Sequence, residues 1–307
     1  GGGGLAAVPV VNSHFRELLL DRAVSDVDDI DGIWDDLYHA SLPYGRKGIA
    51  VMALSGVDLA LWDLLGKAEN QRVCELLGGE RRESMRAYAT GPDVASYRDL
   101  GFDAHKITAL TEGKAAPEAT VVEWAEASRR AIGTDGLLMI DSYMTWDAAL
   151  TGRMATSLEP YRIHWFENVL TPDDPNGLAM LRPRVKPILL AGGEHEFTAY
   201  GFAEVARIGA LDIWQPDVTW CGGFTAAIRI EKLAAQHNIP IVLHRGGEVW
   251  GLHMLAAGFG ENLAELVMGR RGAQRDLIWH GEPEPVDGRL MLPEGPGFGV
   301  DVKEAML

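Results

Sequence analysis

Acidic residues and one histidine end short apolar runs at regular intervals through the last two thirds of the chain. Successive members of this set lie 21 to 27 residues apart: Asp141, Glu167, Glu194, Asp217, His244 and Glu265. Such an interval holds one strand and one helix of a parallel β/α structure. Catalytic groups of closed β/α barrels gather at the C-terminal ends of the strands. The six side chains are therefore predicted to face one end of a barrel.

Eight apolar runs between amphipathic stretches predict the strands of that barrel. They lie at 85–89, 104–107, 137–141, 163–167, 188–192, 213–217, 239–244 and 263–266. Helical periodicity predicts helices between them, for example at 121–131 and 224–237. Eight strands favour a closed barrel over an open sheet.

The first 83 residues follow a different, helical pattern. Apolar periodicity predicts helices at 30–42 and 48–67, and the second is apolar nearly all round, which indicates burial. The glycine pair at 78–79 is predicted to end a further short helix. The chain opens on four glycines without a Met, so we expect it to begin inside a longer natural sequence.

Composition excludes several classes of function. With 28 Lys and Arg against 44 Asp and Glu, the net charge of −16 does not favour a nucleic-acid or anionic-membrane partner. No continuous apolar run reaches the roughly 20 residues of a membrane span. The two cysteines, Cys74 and Cys221, exclude a disulfide framework and favour a cytoplasmic location.

Three consecutive carboxylates of the set, Asp141, Glu167 and Glu194, predict a metal site. Any one of them alone is more often a helix cap or a solvated loop charge. Carboxylates brought together repel one another unless a cation lies between them. Oxygen ligands favour Mg²⁺ over Zn²⁺, and no Cys or His pair has zinc spacing.

Asp217 and His244 follow on the next two strands and predict a general base. A carboxylate on one imidazole nitrogen fixes the tautomer and raises the basicity of the other. The competing interpretation is a histidine satisfied by a backbone carbonyl. His195, beside Glu194, is left with two roles, a substrate contact or a hydrogen bond to that carboxylate.

An ordered set of motifs covers nearly the whole chain and resembles the enolase superfamily. The similarity is to the mandelate racemase subgroup and, within it, to acid-sugar dehydratases of the L-rhamnonate dehydratase type. The motifs include Tyr44-Gly-Arg-Lys-Gly48, Trp165-Phe-Glu-Asn168, Gly192-Gly-Glu-His195, Gln215-Pro-Asp-Val-Thr-Trp-Cys-Gly-Gly223 and His244-Arg-Gly-Gly-Glu-Val-Trp-Gly251.

This resemblance implies a modified (β/α)₇β barrel under an α+β capping domain. Residues 1–83 would be the helical part of the cap, 84–280 the barrel, and 281–307 a segment that returns to the cap. The cap's usual N-terminal strands are missing from the sequence. The implied metal ligands are Asp141, Glu167 and Glu194, the implied dyad is His244 with Asp217, and Glu265 matches a position that hydrogen-bonds the substrate carboxylate.

One departure concerns the Lys-X-Lys motif of many relatives, which here is Lys106-Ile-Thr108. Thr108 replaces the second lysine, a base in those relatives. Lys106 is expected to stabilise negative charge, with a surface lysine as the alternative. Arg245 is expected to help bind the anionic substrate at the barrel opening.

The implied activity is Mg²⁺-dependent dehydration of an acid sugar to a 2-keto-3-deoxy acid. His244 would remove the α-proton and then protonate the departing hydroxyl. Two alternatives remain: an epimerase or racemase of a hydroxy acid, and a non-catalytic acid-sugar-binding barrel. A homo-oligomer is expected because relatives are commonly oligomeric.

Overall fold

The N-terminal part of the molecule is helical. The computed structural model describes residues 4–78, 82–268 and 279–304. Its first five α-helices are α1 (Ala7–Val10), α2 (Arg16–Leu19), α3 (Val27–Ser41), α4 (Ile49–Ala68) and α5 (Val73–Leu76). The helices predicted at 30–42 and 48–67 are α3 and α4. Gly78 follows α5 with a φ of 64°, as a helix-ending glycine does, while Gly79 lies outside the described residues.

The rest of the chain forms a mostly parallel, curled sheet with helices between its strands. The strands of the described residues are β1 (Ser84–Thr90), β2 (Ala104–Thr108), β3 (Leu110–Thr111), β4 (Lys114–Ala115), β5 (Leu137–Asp141), β6 (Trp165–Glu167), β7 (Leu189–Gly192), β8 (Ile213–Trp214), β9 (Ala264–Val267), β10 (Trp279–His280), β11 (Arg289–Met291) and β12 (Asp301–Val302). Seven of these described strands pair in parallel, in the order β9–β1–β2–β5–β6–β7–β8. β11 pairs antiparallel with the first half of β1, and β3–β4 and β10–β12 form separate pairs.

The run predicted as a strand at 239–244 forms a single bridge, between Ile241 and Trp214. Its neighbour Pro240 has no N–H to donate, so a regular ladder cannot continue there. The segment nevertheless contacts both edges of the sheet. Val242 N donates to Trp214 O of β8 at 3.0 Å, and just after the run Gly247 N donates to Glu265 O of β9 at 2.8 Å.

Helices connect the parallel strands along the outside of the sheet. They are α6 (Val94–Asp99), α7 (Glu118–Ile132), α8 (Ala148–Ser157), α9 (Pro175–Leu181), α10 (Thr198–Ile208), α11 (Gly223–His237) and α12 (Val249–Ala256). The helices predicted at 121–131 and 224–237 are α7 and α11. The C-terminal segment contacts the N-terminal helices, since Phe298 N donates to Asp63 Oδ1 at 2.9 Å and Val73 N to Gly297 O at 3.0 Å.

Helix α4 lies between the N-terminal helices and the barrel-like sheet. Among the described helices, only α4 is long enough and apolar enough to cross a membrane, with a mean hydropathy of 1.6. However, 61% of that stretch is buried in the protein, where it packs against α3 and α11. Its apolar surface is therefore covered within the fold, as in a core helix.

Candidate active site

The inside of the curled sheet is divided into two layers of side chains. Side chains two residues apart on a strand point to the same face. We call "apolar layer" the buried cluster of Tyr88, Ala104, Met139, Trp165, Ala191, Ile213, Val242 and Leu263. Two positions after Ala191 stands Gly193, but two positions after each of the others stands a polar residue. We call "polar layer" this set of Thr90, Lys106, Asp141, Glu167, Gln215, His244 and Glu265. The six side chains predicted to face one end of a barrel thus lie at the C-terminal ends of the strands. Four of them belong to the polar layer, and the other two, Glu194 and Asp217, lie beside it.

Three buried carboxylates, Asp141, Glu167 and Glu194, lie on or just after adjacent strands. Asp141 and Glu167 are register partners in the β5–β6 pair, and Glu194 follows β7. Their exposures are 6%, 0% and 3%. Burial raises the pKa of Asp141 well above its ordinary value, and the charge of Glu167 raises it further. The group therefore holds more negative charge than its surroundings compensate.

This surplus of buried carboxylate oxygen fits a hard divalent cation. Such a cation would relieve the repulsion among Asp141, Glu167 and Glu194, and carboxylate oxygens are its preferred ligands. Within residues 4–78, 82–268 and 279–304, no three Asp, Glu, His or Cys side chains already surround one point closely enough to hold a metal. Ligation would therefore require the carboxylates to turn toward the cation.

Lys106 is fully buried between two carboxylates, so its interpretation as a surface lysine is wrong. Its Nζ lies 2.5 Å from Glu167 Oε1 and 2.7 Å from Glu265 Oε1. Burial opposes the charge, but Glu167 and Glu265 raise the pKa of Lys106 well above its ordinary value. Thr108, at the end of the same strand, is the register partner of Asp141.

Glu265 is held as an ionised acceptor. Its Oε1 also accepts from Thr90 Oγ1 at 2.7 Å, and its Oε2 accepts from Arg245 N at 2.8 Å. Burial would raise the pKa of Glu265, but the charges of Lys106 and His244 lower it to about 2. Its predicted contact with a substrate carboxylate stays a prediction.

His244 and Asp217 form the predicted pair. His244 Nδ1 lies 2.8 Å from Asp217 Oδ2, while its Nε2 lies 3.1 Å from Glu194 Oε2. Burial lowers the pKa of His244, but the charge of Glu194 and the hydrogen bond to Asp217 raise it to about 10. A cation that neutralised Glu194 would remove the first of these two increases and leave Asp217 to raise the basicity of Nε2.

Asp217 is itself fixed by its own loop. Thr219 donates to Asp217 Oδ1 through both its backbone N–H, at 2.7 Å, and its hydroxyl, at 2.6 Å. One carboxylate oxygen therefore holds the loop and the other holds the imidazole.

His195 and Arg245 are the two residues predicted to contact substrate. His195 Nε2 lies 3.1 Å from Glu194 Oε1, within ion-pair range but not aligned as a hydrogen bond. Trp220 stacks on the His195 ring at 5.5 Å and lies 5.6 Å from the His244 ring. The guanidinium of Arg245 is paired with Glu248. Substrate contact by either residue stays a prediction.

Sequence reasoning missed several side chains of the site. Gln215 Nε2 and Trp165 Nε1 both donate to Glu167 Oε2, at 2.7 and 3.0 Å, and Thr90 binds Glu265. A signal for Gln215 and Thr90 was present, since each stands two residues after an apolar-layer residue of its strand. Trp220 carried no such signal, because its place depends on the loop after β8.

Comparison with known families identifies the class of protein. Residues 91–306 match the model for the enolase C-terminal domain-like family. Residues 4–78 match the N-terminal domain of mandelate racemase and muconate lactonizing enzyme. The first match covers more than half of the chain, so the chain belongs to the mandelate racemase and muconate lactonizing enzyme family of the enolase superfamily. The resemblance drawn from the motifs is confirmed.

Individual relatives are more specific. L-rhamnonate dehydratase of Saccharopolyspora erythraea is 39% identical over 302 residues, 95% of this chain and 76% of the relative. The structure of rhamnonate dehydratase from Gibberella zeae complexed with Mg has a TM-score of 0.87 and 32% identity, covering 97% of this chain and 75% of that one. The 3,6-anhydro-D-galactonate cycloisomerase of Zobellia galactanivorans has a TM-score of 0.88 and 30% identity, covering 98% and 86%.

Proposed function

We propose that the chain is a Mg²⁺-dependent acid-sugar dehydratase whose first substrate to test is L-rhamnonate. The observation that carries this proposal is the His244–Asp217 pair, joined at 2.8 Å, beside three buried carboxylates. The names of the relatives support the substrate class. A poised base has no use in a protein that only binds an acid sugar.

We propose that the curled sheet closes into a (β/α)₇β barrel over residues 84–280. The hydrogen bonds of Val242 to Trp214 and of Gly247 to Glu265 support closure because they connect this segment to both edges of the sheet. Residues 1–83 would form the helical part of a cap, and 281–307 would return to it. We further propose a cytoplasmic homo-oligomer without nucleic-acid or membrane partners.

Asp141, Glu167 and Glu194 are the residues that would hold Mg²⁺. When bound, the cation would polarise the substrate carboxylate and stabilise the enediolate formed by loss of the α-proton. Lys106 adds a fixed positive charge on the same side, where preorganised charge is worth most. Glu265 holds Lys106 and the Arg245 backbone in place.

His244 carries the proton in both steps. Nε2 takes the α-proton while Asp217 accepts the Nδ1–H and stabilises the imidazolium. The imidazolium then gives the proton to the β-hydroxyl, whose C–O bond breaks as water leaves. The electron pair of the former C–H bond forms the C=C bond of an enol, which becomes the 2-keto-3-deoxy acid. One histidine thus acts as base and then as acid, with His195 and Arg245 positioning the hydroxyls and carboxylate.

Thr108 favours dehydration over epimerisation. Epimerisation usually needs a base on each face of the substrate, and Thr108 replaces the lysine that would be the second. An epimerase or racemase is nevertheless the second candidate, because a racemase from Streptomyces coelicolor A3(2) with bound magnesium has the same fold, with a TM-score of 0.85 and 29% identity.

The test is a screen of the purified protein with Mg²⁺ against a library of acid sugars, with keto products detected by semicarbazide. We expect L-rhamnonate or a related aldonate to give a product that EDTA abolishes. Exchange of the α-proton in D₂O without keto product would move the assignment to epimerisation. Neither product nor exchange with any acid sugar would contradict the proposal and favour a binding protein.

A further inference from the structure

The peptide at Gly222, in the loop after β8, is held by two side chains of the N-terminal helices. Trp34 of α3 donates its indole Nε1–H to Gly222 O at 2.6 Å. Ser55 of α4 accepts the Gly222 N–H on its hydroxyl at 2.8 Å. Both side chains are buried, so neither backbone group of Gly222 has water as an alternative partner.

The approach is so close that position 222 requires glycine. Gly222 has a φ of 118°, in the region that favours glycine, and a Cβ there would lie 2.7 Å from Ala226 Cβ and 3.2 Å from Trp34 Cζ2. At the next residue, a Cβ on Gly223 would lie 2.2 Å from Asp58 Oδ2. Asp58, also on α4, accepts the Thr225 N–H at 3.2 Å. Helix α4 therefore contacts the loop and the first turn of α11 at three successive points.

The two gripping side chains are themselves fixed. The Ser55 hydroxyl donates to Val51 O at 2.9 Å, which orients its lone pairs for the Gly222 N–H. The Trp34 ring stacks on Tyr38 with ring centroids 5.1 Å apart, and the Arg229 guanidinium lies 4.5 Å from its centroid. Each group is therefore oriented before it meets the loop.

The loop transmits that position to the proposed site. Trp220 N and Cys221 N both donate to Asp217 O, at 2.9 and 2.8 Å, so the segment from Asp217 to Gly222 is tightly folded. Its Trp220 ring packs against both His195 and His244. A shift at Gly222 would therefore reach the indole and the two imidazoles together.

We infer that Ser55 and Trp34 are positioning residues: through Gly222 they hold the Trp220 indole against His195 and His244, although neither touches substrate. The rate effect of this inference rests on the proposed function. The N-terminal helices thus support the geometry of proton transfer from outside the sheet. A displacement of about 1 Å in such a support can lower a rate by up to roughly 10²-fold.

The first test compares Ser55→Ala with a matched control, Ser41→Ala. Ser41 is also buried in an N-terminal helix and donates to Tyr38 O at 2.9 Å, but it makes no bond to the β8 loop. We expect Ser55→Ala to lower kcat about tenfold with unchanged Mg²⁺ affinity, and Ser41→Ala to keep kcat. Equal kcat in the two variants, with only a lower Tm, would overturn the inference.

The second test does not depend on the reaction. The chain has 9 tryptophans, and the indole N–H signals of Trp220 and Trp34 can be assigned in ¹H–¹⁵N spectra with Trp220→Phe and Trp34→Phe. Ser55→Ala and Trp34→Phe are each expected to shift or broaden the Trp220 signal, and Ser41→Ala to leave it in place. An unmoved Trp220 signal in both variants would reject the positioning role even if the protein proved to catalyse another reaction.

Discussion

Two layers inside the same curled sheet differ in chemistry although they lie only two residues apart on each strand and all their residues except the half-buried His244 are buried. The apolar layer is sealed by contacts such as Tyr88 against Trp165, whose ring centroids are 5.9 Å apart. In the polar layer, Lys106 and its two carboxylates are as deeply buried as those aromatics. Burial stabilises the first layer but raises the free energy of every unpaired charge in the second. We therefore propose that the apolar layer supports the fold and that the polar layer carries the chemistry.

The largest expected effect separates activity from stability at His244. His244→Asn should lower kcat/KM by about 10²- to 10⁴-fold because it removes the proposed general base, while the Asn side chain can still donate to Asp217 and so limits the change in the thermal midpoint. The control is His105→Asn, at a buried histidine bonded to Ser128 Oγ and Gly91 O outside the polar layer. That variant should show the reverse, lower stability with retained turnover. Near wild-type turnover in His244→Asn would contradict the proposal that the polar layer carries the chemistry.

Lys106 belongs to the polar layer, but we expect it to contribute to stability as well as to the proposed activity. Lys106→Met leaves Glu167 and Glu265 buried without their counter-charge, which should cost about 3–5 kcal/mol of unfolding free energy. Urea denaturation measures this loss. In the control Lys186→Met, a partly exposed pair with Asp212 is lost, but Asp212 keeps its pair with Arg182, so the expected change is at most about 1 kcal/mol. Equal losses in the two variants would contradict the role of Lys106 as the buried counter-charge of Glu167 and Glu265.

Met139 tests the apolar layer. It is fully buried, and Met139→Ala should cost about 2–5 kcal/mol through lost packing and a cavity, with kcat of the folded enzyme retained. Met180→Ala, at a residue 62% exposed, should be nearly neutral. If Met139→Ala abolished turnover but left the free energy of unfolding unchanged, the assignment of stability to the apolar layer and of chemistry to the polar layer would be wrong.

A smaller effect concerns a buried histidine outside both layers. His253 accepts from Cys74 N and contacts Phe298 O, so it joins α12 to α5 and the C-terminal segment as a neutral ring. Burial lowers its pKa from 6.5 to about 4. The unfolded chain therefore binds this proton first, and stability present above pH 6.5 is lost as the pH falls toward 4, by up to about 3 kcal/mol.

Comparison with a variant isolates this pH effect. His253→Gln cannot titrate, so its unfolding free energy should fall less than that of the wild type between pH 7 and pH 4. Parallel pH curves from urea denaturation would show that folding does not lower the pKa of His253. At pH 7, turnover of the folded enzyme should be the same in the wild type and in His253→Gln.

The sequence predicted the polar layer better than its internal contacts. Strand ends such as Asp141 and Glu167 could be predicted because apolar runs and their two-residue periodicity are local properties of the chain. The position of Lys106 between Glu167 and Glu265 could not, since these residues are far apart in the sequence and meet only when the sheet curls. The family resemblance, which rests on ordered motifs, was confirmed by the family matches at residues 4–78 and 91–306.

The limits of prediction were sharpest in loops and at Pro240. A continuous apolar run predicted a full strand at 239–244, but the missing N–H of Pro240 reduces it to one bridge. The hydrogen bonds of Trp34 and Ser55 to Gly222 could not be predicted from a local sequence pattern. They join residues that are 188 and 167 positions apart, respectively. Such contacts follow from the packing of whole elements.

The claim that Asp141, Glu167 and Glu194 bind the cation is tested most directly by Mg²⁺ titration calorimetry on three proteins. These are the wild type, Glu194→Gln, and Glu196→Gln, a matched control because Glu196 is also buried but pairs with Lys47 instead of joining the carboxylate group. The account predicts that Glu196→Gln binds Mg²⁺ as the wild type does and that Glu194→Gln binds it at least about tenfold more weakly. Wild-type affinity in Glu194→Gln would contradict it.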